Sequence, residues 1–298
     1  MLKVLTIVGP TATGKSAMGV RLAEEFNGEI INGDSIQIYR DLNIGSAKIT
    51  DKETHGIPHW LLSYRDVGED YSVHQFQQDA RRTIEYIASR GKLPIVVGGT
   101  GLYIKALLYD YEFIENTGED TNYDENSTDE LYEKLKELDP VSAETIHPHN
   151  RQRVVRALQM AESGNLKSEQ EAGQKHEMIY DGFIAGLSIS REILKERIKE
   201  RVDSMFNAGL LDEINDLAGK HLWDEHGLHG IGYREFREYL NGSQTLEATR
   251  EKIIVHTRQF AKRQLTWWNH QMPVQWYDVS QEDCYERISS DVRRWLNG

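Results

Sequence analysis

The feature that most constrains this chain is a glycine-rich loop close to its amino terminus. The loop follows the apolar run 2–8, which predicts a buried strand, and it precedes a helical pattern at residues 17–26. It fits the phosphate-loop pattern of Gly, four residues and Gly-Lys-Ser, with the sequence Gly9, Pro10, Thr11, Ala12, Thr13, Gly14, Lys15, Ser16. Such a loop holds a diphosphate or larger group with backbone N–H groups, the lysine ammonium and Mg²⁺ on the serine hydroxyl. The alternative, a glycine-rich turn without a ligand, is disfavoured by the flanking strand and helix.

A carboxylate follows the next predicted strand, residues 29–32. Gly33, Asp34 and Ser35 come directly after that strand. Because the carboxyl ends of parallel strands face the ligand crevice of an open α/β sheet, we expect Asp34 to point towards the bound phosphates. Asp34 is then a metal ligand or a general base. The alternative is that it only caps the turn at residues 35–39.

The third predicted strand, residues 93–97, ends in glycines instead of an acid. In a phosphate-loop NTPase an apolar strand is expected to end in the carboxylate that holds Mg²⁺. Here Gly98, Gly99 and Thr100 follow the strand. The missing acid counts against a standard ATPase, and the glycines allow a substrate to approach the backbone closely.

The composition narrows the setting in which such a site operates. The 298 residues are enough for one large domain, or for a core with an insertion. Cys284 is the only cysteine, so an intrachain disulfide is impossible, which suits a reducing compartment. No apolar run reaches the roughly 18 residues of a membrane span. We therefore expect a cytoplasmic protein without a membrane partner.

The charge of the chain is unevenly distributed. A net charge of −13 argues against a polyanionic partner. However, residues 112–137 contain ten acidic and two basic residues, whereas residues 250–263 contain five basic and one acidic. The predicted helix that includes the basic stretch also carries Phe260, Trp267 and Trp268, a combination suited to phosphates and stacked bases. Solvated helix faces and aromatic core packing remain the alternatives.

The middle of the chain is predicted to be a helical insertion. Helical patterns cover residues 130–138, 141–146 and 151–162, and no strand signal appears before residues 183–189. We therefore predict a core at residues 1–109 and 183–298 and an insertion at residues 110–182. In the third insertion helix the arginines need not be buried, and salt bridging is the alternative to a ligand role.

A long amphipathic helix is predicted to begin after Ser190. Arg197 and Arg201 are four residues apart and share one face of this helix. If that face is turned to the phosphate loop, Arg201 neutralises a leaving diphosphate. Otherwise it pairs with Glu200 or another neighbour.

Taken together, these motifs resemble the tRNA dimethylallyltransferase family, the isopentenyl-tRNA transferases. The matching segments follow the family's order over nearly the whole chain, at residues 9–16, 34–39, 45–48, 56–59, 97–103, 151–158, 201–205, 231–235 and 257–267. The resemblance implies an α/β fold, with a P-loop-containing nucleoside triphosphate hydrolase-like core in which helices flank a parallel sheet, plus the helical insertion domain.

The resemblance also implies a reaction. Members of the family transfer a dimethylallyl group from dimethylallyl diphosphate to the exocyclic N6 amine of the adenine 3′ of the anticodon, in tRNAs that read codons starting with U. The expected partners are therefore dimethylallyl diphosphate and a tRNA anticodon stem-loop, the expected cofactor is Mg²⁺, and we expect a monomer. A phosphate-loop kinase or NTPase and a transferase acting on free adenine nucleotides are the alternatives.

The resemblance assigns roles to particular residues. Lys15 and Arg201 would stabilise the leaving diphosphate, Ser16 would hold Mg²⁺, and Asp34 would accept the proton of the amine. The remaining positions would contact the tRNA: Asp34 itself with Ser35, Ile36, Gln37 and Thr100 at the target base, then Gln152, Arg153, Val154, Val155 and Arg156, and finally Lys262, Arg263, Gln264 and Trp267.

Overall fold

The computed structural model describes residues 1–113, 122–173, 177–223 and 225–298. Contacts divide the chain into a core unit, Met1–Tyr109 with Met178–Gly298, and an insertion unit, Asp110–Glu177. The chain re-enters the core unit at Met178, a few residues before the predicted boundary at 183. At this point Ile179 donates a backbone hydrogen bond to the Leu108 carbonyl (2.9 Å). This bond joins the two segments of the core unit that flank the insertion in the chain.

The core unit is built on one sheet. Among the described residues its strands are β1 (Lys3–Val8), β2 (Gly28–Asn32), β3 (His59–Trp60), β4 (Leu93–Val97), β5 (Asp181–Ser188) and β6 (Gln275–Asp278). They lie in the order β3-β2-β4-β1-β5-β6, and every neighbouring pair is parallel. The predicted α/β fold with a parallel sheet is therefore confirmed, and all strands end at the same edge of the sheet.

Helices make up most of the remaining described residues. In chain order they are α1 (Lys15–Glu25), α2 (Val73–Ser89), α3 (Gly101–Leu108), α4 (Thr128–Leu138), α5 (Pro140–Thr145), α6 (Arg151–Glu162), α7 (Lys167–Gly173), α8 (Arg191–Asn207), α9 (Leu210–Gly219), α10 (Arg237–Leu240), α11 (Leu246–Gln271) and α12 (Cys284–Asn297). Two short 3₁₀ helices lie at His226–His229 and Arg234–Phe236. Within the described part of the chain, no helix has the length and apolarity needed to cross a membrane.

The sheet is buried on both faces, which explains why its central strands are mostly apolar. In β1, Val4 and Val8 belong to one apolar cluster, while Leu5 and Ile7 belong to another. The first cluster includes residues of α2, α3, α8, α9 and α11, and the second includes residues of α1 and α12. Because protein interiors are close-packed, the loops that leave the central strands start from a rigid platform.

The insertion unit has an apolar cluster of its own, which includes Leu131, Leu135, Val154 and Leu158. Helices α4, α5 and α6 confirm the three helices predicted here, and α7 was not predicted. Ser127 starts α4 with a capping box, as its sequence favours. Part of the predicted acidic stretch, residues 114–121, lies outside the described residues.

Candidate functional site

Three loops meet at the carboxyl edge of the sheet, after β1, β2 and β4. Gly33 donates its backbone N–H to the Val97 carbonyl (2.8 Å), and Gly98 donates to the Ile7 carbonyl (3.2 Å). A Cβ at Gly98 would lie 2.2 Å from the Gly33 oxygen, so this close approach requires a glycine. The sequence-predicted loops are thus neighbours in space.

The phosphate loop closes on the carbonyl oxygen of Pro10. That oxygen accepts hydrogen bonds from the Thr13 hydroxyl and from the Lys15 ammonium, both at 2.8 Å. At the tip of the loop Ala12 has a φ angle of 64°, in the left-handed region. This conformation costs an ordinary residue roughly 1–2 kcal/mol, so the contacts around the loop must hold it.

Two cations share this part of the structure with one carboxylate. Burial lowers the pKa of Lys15 to about 7, Arg201 adds to the decrease, and Asp34 opposes it. Burial likewise lowers the pKa of Arg201, and Asp34 again opposes the shift. Arg201 makes no hydrogen bond or ion pair with any described residue, so the alternative pairing with Glu200 is not observed. An unpaired arginine beside a buried lysine is suited to an anion.

Asp34 is held in place by the backbone around it. Its Oδ1 accepts hydrogen bonds from the N–H groups of Ile36 (2.9 Å) and Gln37 (3.3 Å). Asn32 accepts from the Asp34 N–H (3.2 Å) and donates to the Asp34 carbonyl (3.1 Å). The capping role considered for Asp34 is therefore present, but it uses one oxygen. Among the described residues nothing donates a hydrogen bond to Oδ2, so this oxygen is available to accept a proton or to bind a metal ion.

The other residues assigned to the target base lie around Asp34. Thr100 accepts a hydrogen bond from the Ser35 N–H (3.1 Å) and donates one to the Ser35 hydroxyl (3.3 Å), so these two side chains are adjacent. Ile36 is half-buried against the large apolar cluster. The Gln37 amide donates to the Ser46 carbonyl (3.1 Å). Ser35, Thr100 and Gln37 are thus fixed by polar contacts before any substrate binds.

A second set of contacts, which the sequence analysis missed, holds the loop at residues 43–46. Glu213 on α9 accepts three successive backbone N–H groups, of residues 43–45, at 2.8–3.1 Å. The Tyr233 hydroxyl donates to Glu213 (2.8 Å) and accepts from the Ser46 N–H (3.1 Å). The family segments 45–48 and 231–235 are therefore one assembly. Glu213 lies outside every matched segment, so no signal marked it.

The basic part of α11 lines an open surface groove. The groove has a volume of about 640 Å³ and is lined by Gln259, Lys262, Arg263, Thr266, Trp267, His270 and Gln271. Lys262 and Arg263 are exposed, and neither forms an ion pair with a described residue. The Arg263 guanidinium lies 5.8 Å from the centre of the Phe260 ring. This surface combines unpaired cations with aromatic rings, as the sequence analysis expects.

The two neighbouring tryptophans have different environments. Trp268 is fully buried, so the core-packing alternative holds for it. Trp267 is half-buried and meets Trp268 edge to face, with ring centres 4.7 Å apart. A Cβ at Gly101 would lie 2.3 Å from the Trp267 ring, which places Trp267 directly behind the Gly-Gly-Thr turn.

Gln264 is a correction to the predicted tRNA contacts. Its side chain is buried, and its amide accepts from the Thr11 N–H (2.9 Å) and donates to the Gly99 carbonyl (3.0 Å). Both ends of the amide are therefore used inside the protein. The Gln264 side chain is not available to RNA, because it lies on the face of the helix that is turned into the protein.

Helix α6 of the insertion unit requires a second correction. Gln152, Arg153 and Arg156 are exposed, and neither arginine forms an ion pair with a described residue. Val154 has no exposed surface (0%), and Val155 packs beside it against the apolar cluster of the unit. The Val154 side chain therefore stabilises the unit and cannot touch RNA. The exposed polar positions and the partly exposed Val155 remain as candidates.

The residues present fit Mg²⁺ as a companion of the diphosphate. Among the described residues no group of three or more His, Cys, Asp and Glu side chains could hold a metal ion. The chain offers the Ser16 hydroxyl at the start of α1. Mg²⁺ in phosphate sites commonly takes few protein ligands and completes its shell with phosphate oxygens and water. This donor set therefore agrees with a metal that arrives with its substrate.

Comparison with known proteins places this site in a family. A family model described as IPP transferase matches residues 37–271, well over half of the chain. The chain belongs to the IPP transferase family. The resemblance inferred from the sequence motifs is thereby confirmed.

Curated relatives match this chain over nearly their full length. A tRNA dimethylallyltransferase of Anoxybacillus flavithermus is 45% identical over 300 residues, covering 99% of this chain and 96% of the relative. The tRNA dimethylallyltransferase of Geobacillus kaustophilus is 42% identical over 304 residues, with 99% and 96% covered.

Solved structures have the same fold. The tRNA isopentenylpyrophosphate transferase of Bacillus halodurans gives a TM-score of 0.77 at 36% identity, covering 100% of this chain and 97% of that one. The enzyme of Staphylococcus epidermidis with a corresponding name gives 0.75 at 36%, with 100% and 99% covered. A eukaryotic dimethylallyltransferase described as acting on tRNA gives 0.86 at 30%, with 100% and 80% covered.

Proposed function

We propose that this enzyme transfers a dimethylallyl group from dimethylallyl diphosphate to the N6 amine of the adenine 3′ of the anticodon, in tRNAs that read codons starting with U. The observation that carries the proposal is the unpaired Arg201 beside Lys15 and Asp34, at the edge where the phosphate loop leaves the sheet. This arrangement provides cations for a leaving diphosphate and a carboxylate for the attacking amine.

The reaction needs charge to be neutralised at the departing oxygen. The amine nitrogen forms a bond to the allylic carbon while the carbon–oxygen bond breaks, and that electron pair leaves with the diphosphate. Lys15, Arg201 and backbone N–H groups of the phosphate loop would meet the developing charge. Preorganised donors of this kind are each worth about 3 kcal/mol of barrier.

Asp34 would take the proton that the amine loses. Its Oδ1 is engaged by the backbone, while Oδ2 accepts no hydrogen bond from the described residues. A positioned general base typically contributes about 10²–10⁴-fold to the rate. Holding one oxygen rigidly points the other in a constant direction, which keeps the base oriented.

Mg²⁺ is proposed as the cofactor. When bound, it would neutralise charge on the diphosphate oxygens. Ser16 would hold it from the protein side, and the diphosphate would supply further oxygens. Lys15 and Arg201 would keep their contacts to the diphosphate alongside it.

The target adenine must leave its stack to reach Asp34. Ser35, Ile36, Gln37 and Thr100 would surround the base. The exposed Lys262 and Arg263 and the half-buried Trp267 on α11 would contact the RNA, as would the exposed Gln152, Arg153 and Arg156 on α6, because such sites combine phosphate-binding cations with stacking rings. We also propose that the protein works in the cytoplasm and that it is a monomer. Light scattering of the purified protein tests the monomeric state.

The test is mass spectrometry of nucleosides from tRNA incubated with the protein, dimethylallyl diphosphate and Mg²⁺. We expect N6-dimethylallyl adenosine with the unchanged protein and a rate about 10²–10⁴-fold lower with Asp34→Asn. Asparagine keeps an oxygen at Oδ1 that can accept from Ile36 and Gln37, so this variant removes the base and preserves the turn.

Other results would point to the competing functions. Equal rates for the unchanged protein and Asp34→Asn would contradict the role of Asp34. ATP turnover without prenyl transfer would support a kinase or NTPase, which the absence of an acid after β4 disfavours. Strong competition by AMP against tRNA would support a transferase acting on free adenine nucleotides.

A further inference from the structure

The Gln264 side chain joins the phosphate loop to the turn after β4. It is 5% exposed, although its neighbours Lys262 and Arg263 on α11 are exposed. Its Oε1 accepts the Thr11 N–H at 2.9 Å, and its Nε2 donates to the Gly99 carbonyl at 3.0 Å. Helix α11 therefore exposes Lys262 and Arg263 to solvent and places the amide of Gln264 against the phosphate loop.

The amide lies next to the Lys15 ammonium. A Cβ built on Gly99 would be 2.4 Å from the Gln264 Nε2 and 3.9 Å from the Lys15 Nζ. A side chain at position 99 would therefore clash with the Gln264 amide, and it would only touch the Lys15 ammonium. The glycine of the Gly-Gly-Thr turn leaves room for the glutamine amide, which is a second reason for glycine here besides substrate approach.

The part of the loop that Gln264 holds is its strained tip. Thr11 precedes Ala12, whose φ angle is 64°. Inside the loop, Thr13 and Lys15 bind the Pro10 carbonyl. Among the described residues, the bond from Gln264 is the only hydrogen bond that reaches residues 10–12 from outside the loop. A strained backbone conformation persists only where several surrounding contacts hold it. The hydrogen bond from Gln264 is one of the contacts that hold the tip of the loop.

We propose that Gln264 is a positioning residue of the diphosphate site and not an RNA contact. Its amide keeps the tip of the phosphate loop in the conformation that receives the diphosphate, so that binding does not have to reorganise the loop. The inference rests on the proposed function, because that function assigns a diphosphate to this loop. Preorganisation of this kind appears as affinity for the ligand.

The experiment measures two affinities separately. Inorganic pyrophosphate with Mg²⁺ is titrated into the full-length protein by calorimetry, and a labelled anticodon stem-loop RNA is titrated by fluorescence anisotropy. For Gln264→Ala we expect pyrophosphate to bind about tenfold more weakly, which is the size of one lost hydrogen bond, and RNA affinity to change less than about twofold. For Lys262→Ala we expect the reverse pattern.

Gln264→Glu is the second variant, since it keeps the size of the side chain. Its carboxylate can still accept from Thr11, but it cannot donate to Gly99 and it places a negative charge beside Lys15. We expect pyrophosphate to bind more weakly than to Gln264→Ala, because the added charge repels the anion. Pyrophosphate affinity equal to that of the unchanged protein in both variants would overturn the proposal.

Gln77→Ala is the matched control for the loss of a buried amide. Gln77 on α2 is 6% exposed, and its Nε2 donates to the Ala106 carbonyl at 2.7 Å, away from the phosphate loop. We expect a lower melting temperature and unchanged pyrophosphate affinity. An equal loss of affinity in Gln77→Ala, or a loss of RNA affinity alone in Gln264→Ala, would refute the inference. If the unchanged protein bound no pyrophosphate, the proposed function itself would be at fault.

Discussion

Lys15 carries its charge in surroundings that oppose it. Burial and the neighbouring Arg201 lower its pKa to about 7, so the ammonium is largely deprotonated at pH 8 in the free protein. A bound diphosphate favours the charged form and raises the pKa again. We therefore expect pyrophosphate binding to take up a proton above pH 7 and none at pH 6. The affinity contributed by Lys15 should fall by up to about tenfold per pH unit above pH 7.

The control for this prediction is Lys15→Arg, which keeps the positive charge but does not titrate in this range. Pyrophosphate itself gains and loses protons near neutral pH, and that contribution is common to both proteins. Calorimetry in buffers of different ionisation enthalpy gives the number of protons taken up. The prediction fails if the unchanged protein and Lys15→Arg take up equal numbers of protons at pH 8.

At the scale of single residues, the sequence predicted which residue types form the site and which loops lie close together. It did not predict which way each side chain points. Lys15 and Asp34 were found because their loops follow apolar strands, and strand ends share one edge. The pKa of Lys15 could not be predicted, because it depends first on burial by the folded chain and then on Arg201 from a distant helix. Gln264 and Val154 were assigned to RNA by their place in a motif, but a motif does not state which face of its helix is buried.

The loop at residues 43–46 shows how one element supports another. Glu213 binds three of its backbone N–H groups, and the loop in turn offers the Ser46 carbonyl to Gln37 beside Asp34. For Glu213→Ala we expect faster amide exchange at residues 43–46 and a higher KM for tRNA, with pyrophosphate affinity unchanged. Hydrogen exchange by mass spectrometry and steady-state kinetics provide the measurements. Three orphaned N–H groups account for the loss of order.

Asp216→Ala is the matched control, since Asp216 is an exposed acid on the same helix α9. It removes the same charge without touching the loop, so exchange and KM should stay as in the unchanged protein. A similar effect of both variants would mean that the charge of the helix, and not the bonds from Glu213, is responsible.

At the scale of helices and strands, the length of an element decided whether the sequence could predict it. The buried strands β1, β2, β4 and β5 were predicted because each has at least four residues, contains adjacent apolar residues and is followed by turn residues. The edge strands β3 and β6 have two and four residues and only form against neighbours that are already in place. Helix α6 was predicted with its observed bounds from its apolar spacing, and in the structure Asn150 caps its start.

At the scale of the whole molecule, the pattern of strands and helices predicted the insertion, and the family resemblance implied the parallel sheet. The network that joins Glu213, Tyr233 and the loop at residues 43–46 was not predictable, because it brings together segments that are remote in the chain. The distribution of charge belongs to this scale as well. A net charge of −13 repels RNA, so on the proposed function the exposed cations of α11 and α6 would supply the attraction locally.

RNA affinity should therefore depend on salt through a few identifiable side chains. For Lys262→Ala we expect weaker binding of the anticodon stem-loop at low salt and a slope of log K against log salt that is shallower by about 0.7–0.9, since one phosphate contact is lost. Lys252→Ala is the control on the same helix, because Lys252 is already paired with Glu238. Anisotropy titrations over a salt series measure both slopes. An unchanged slope for Lys262→Ala, or an equal change for Lys252→Ala, would show that the exposed end of α11 is not where RNA binds.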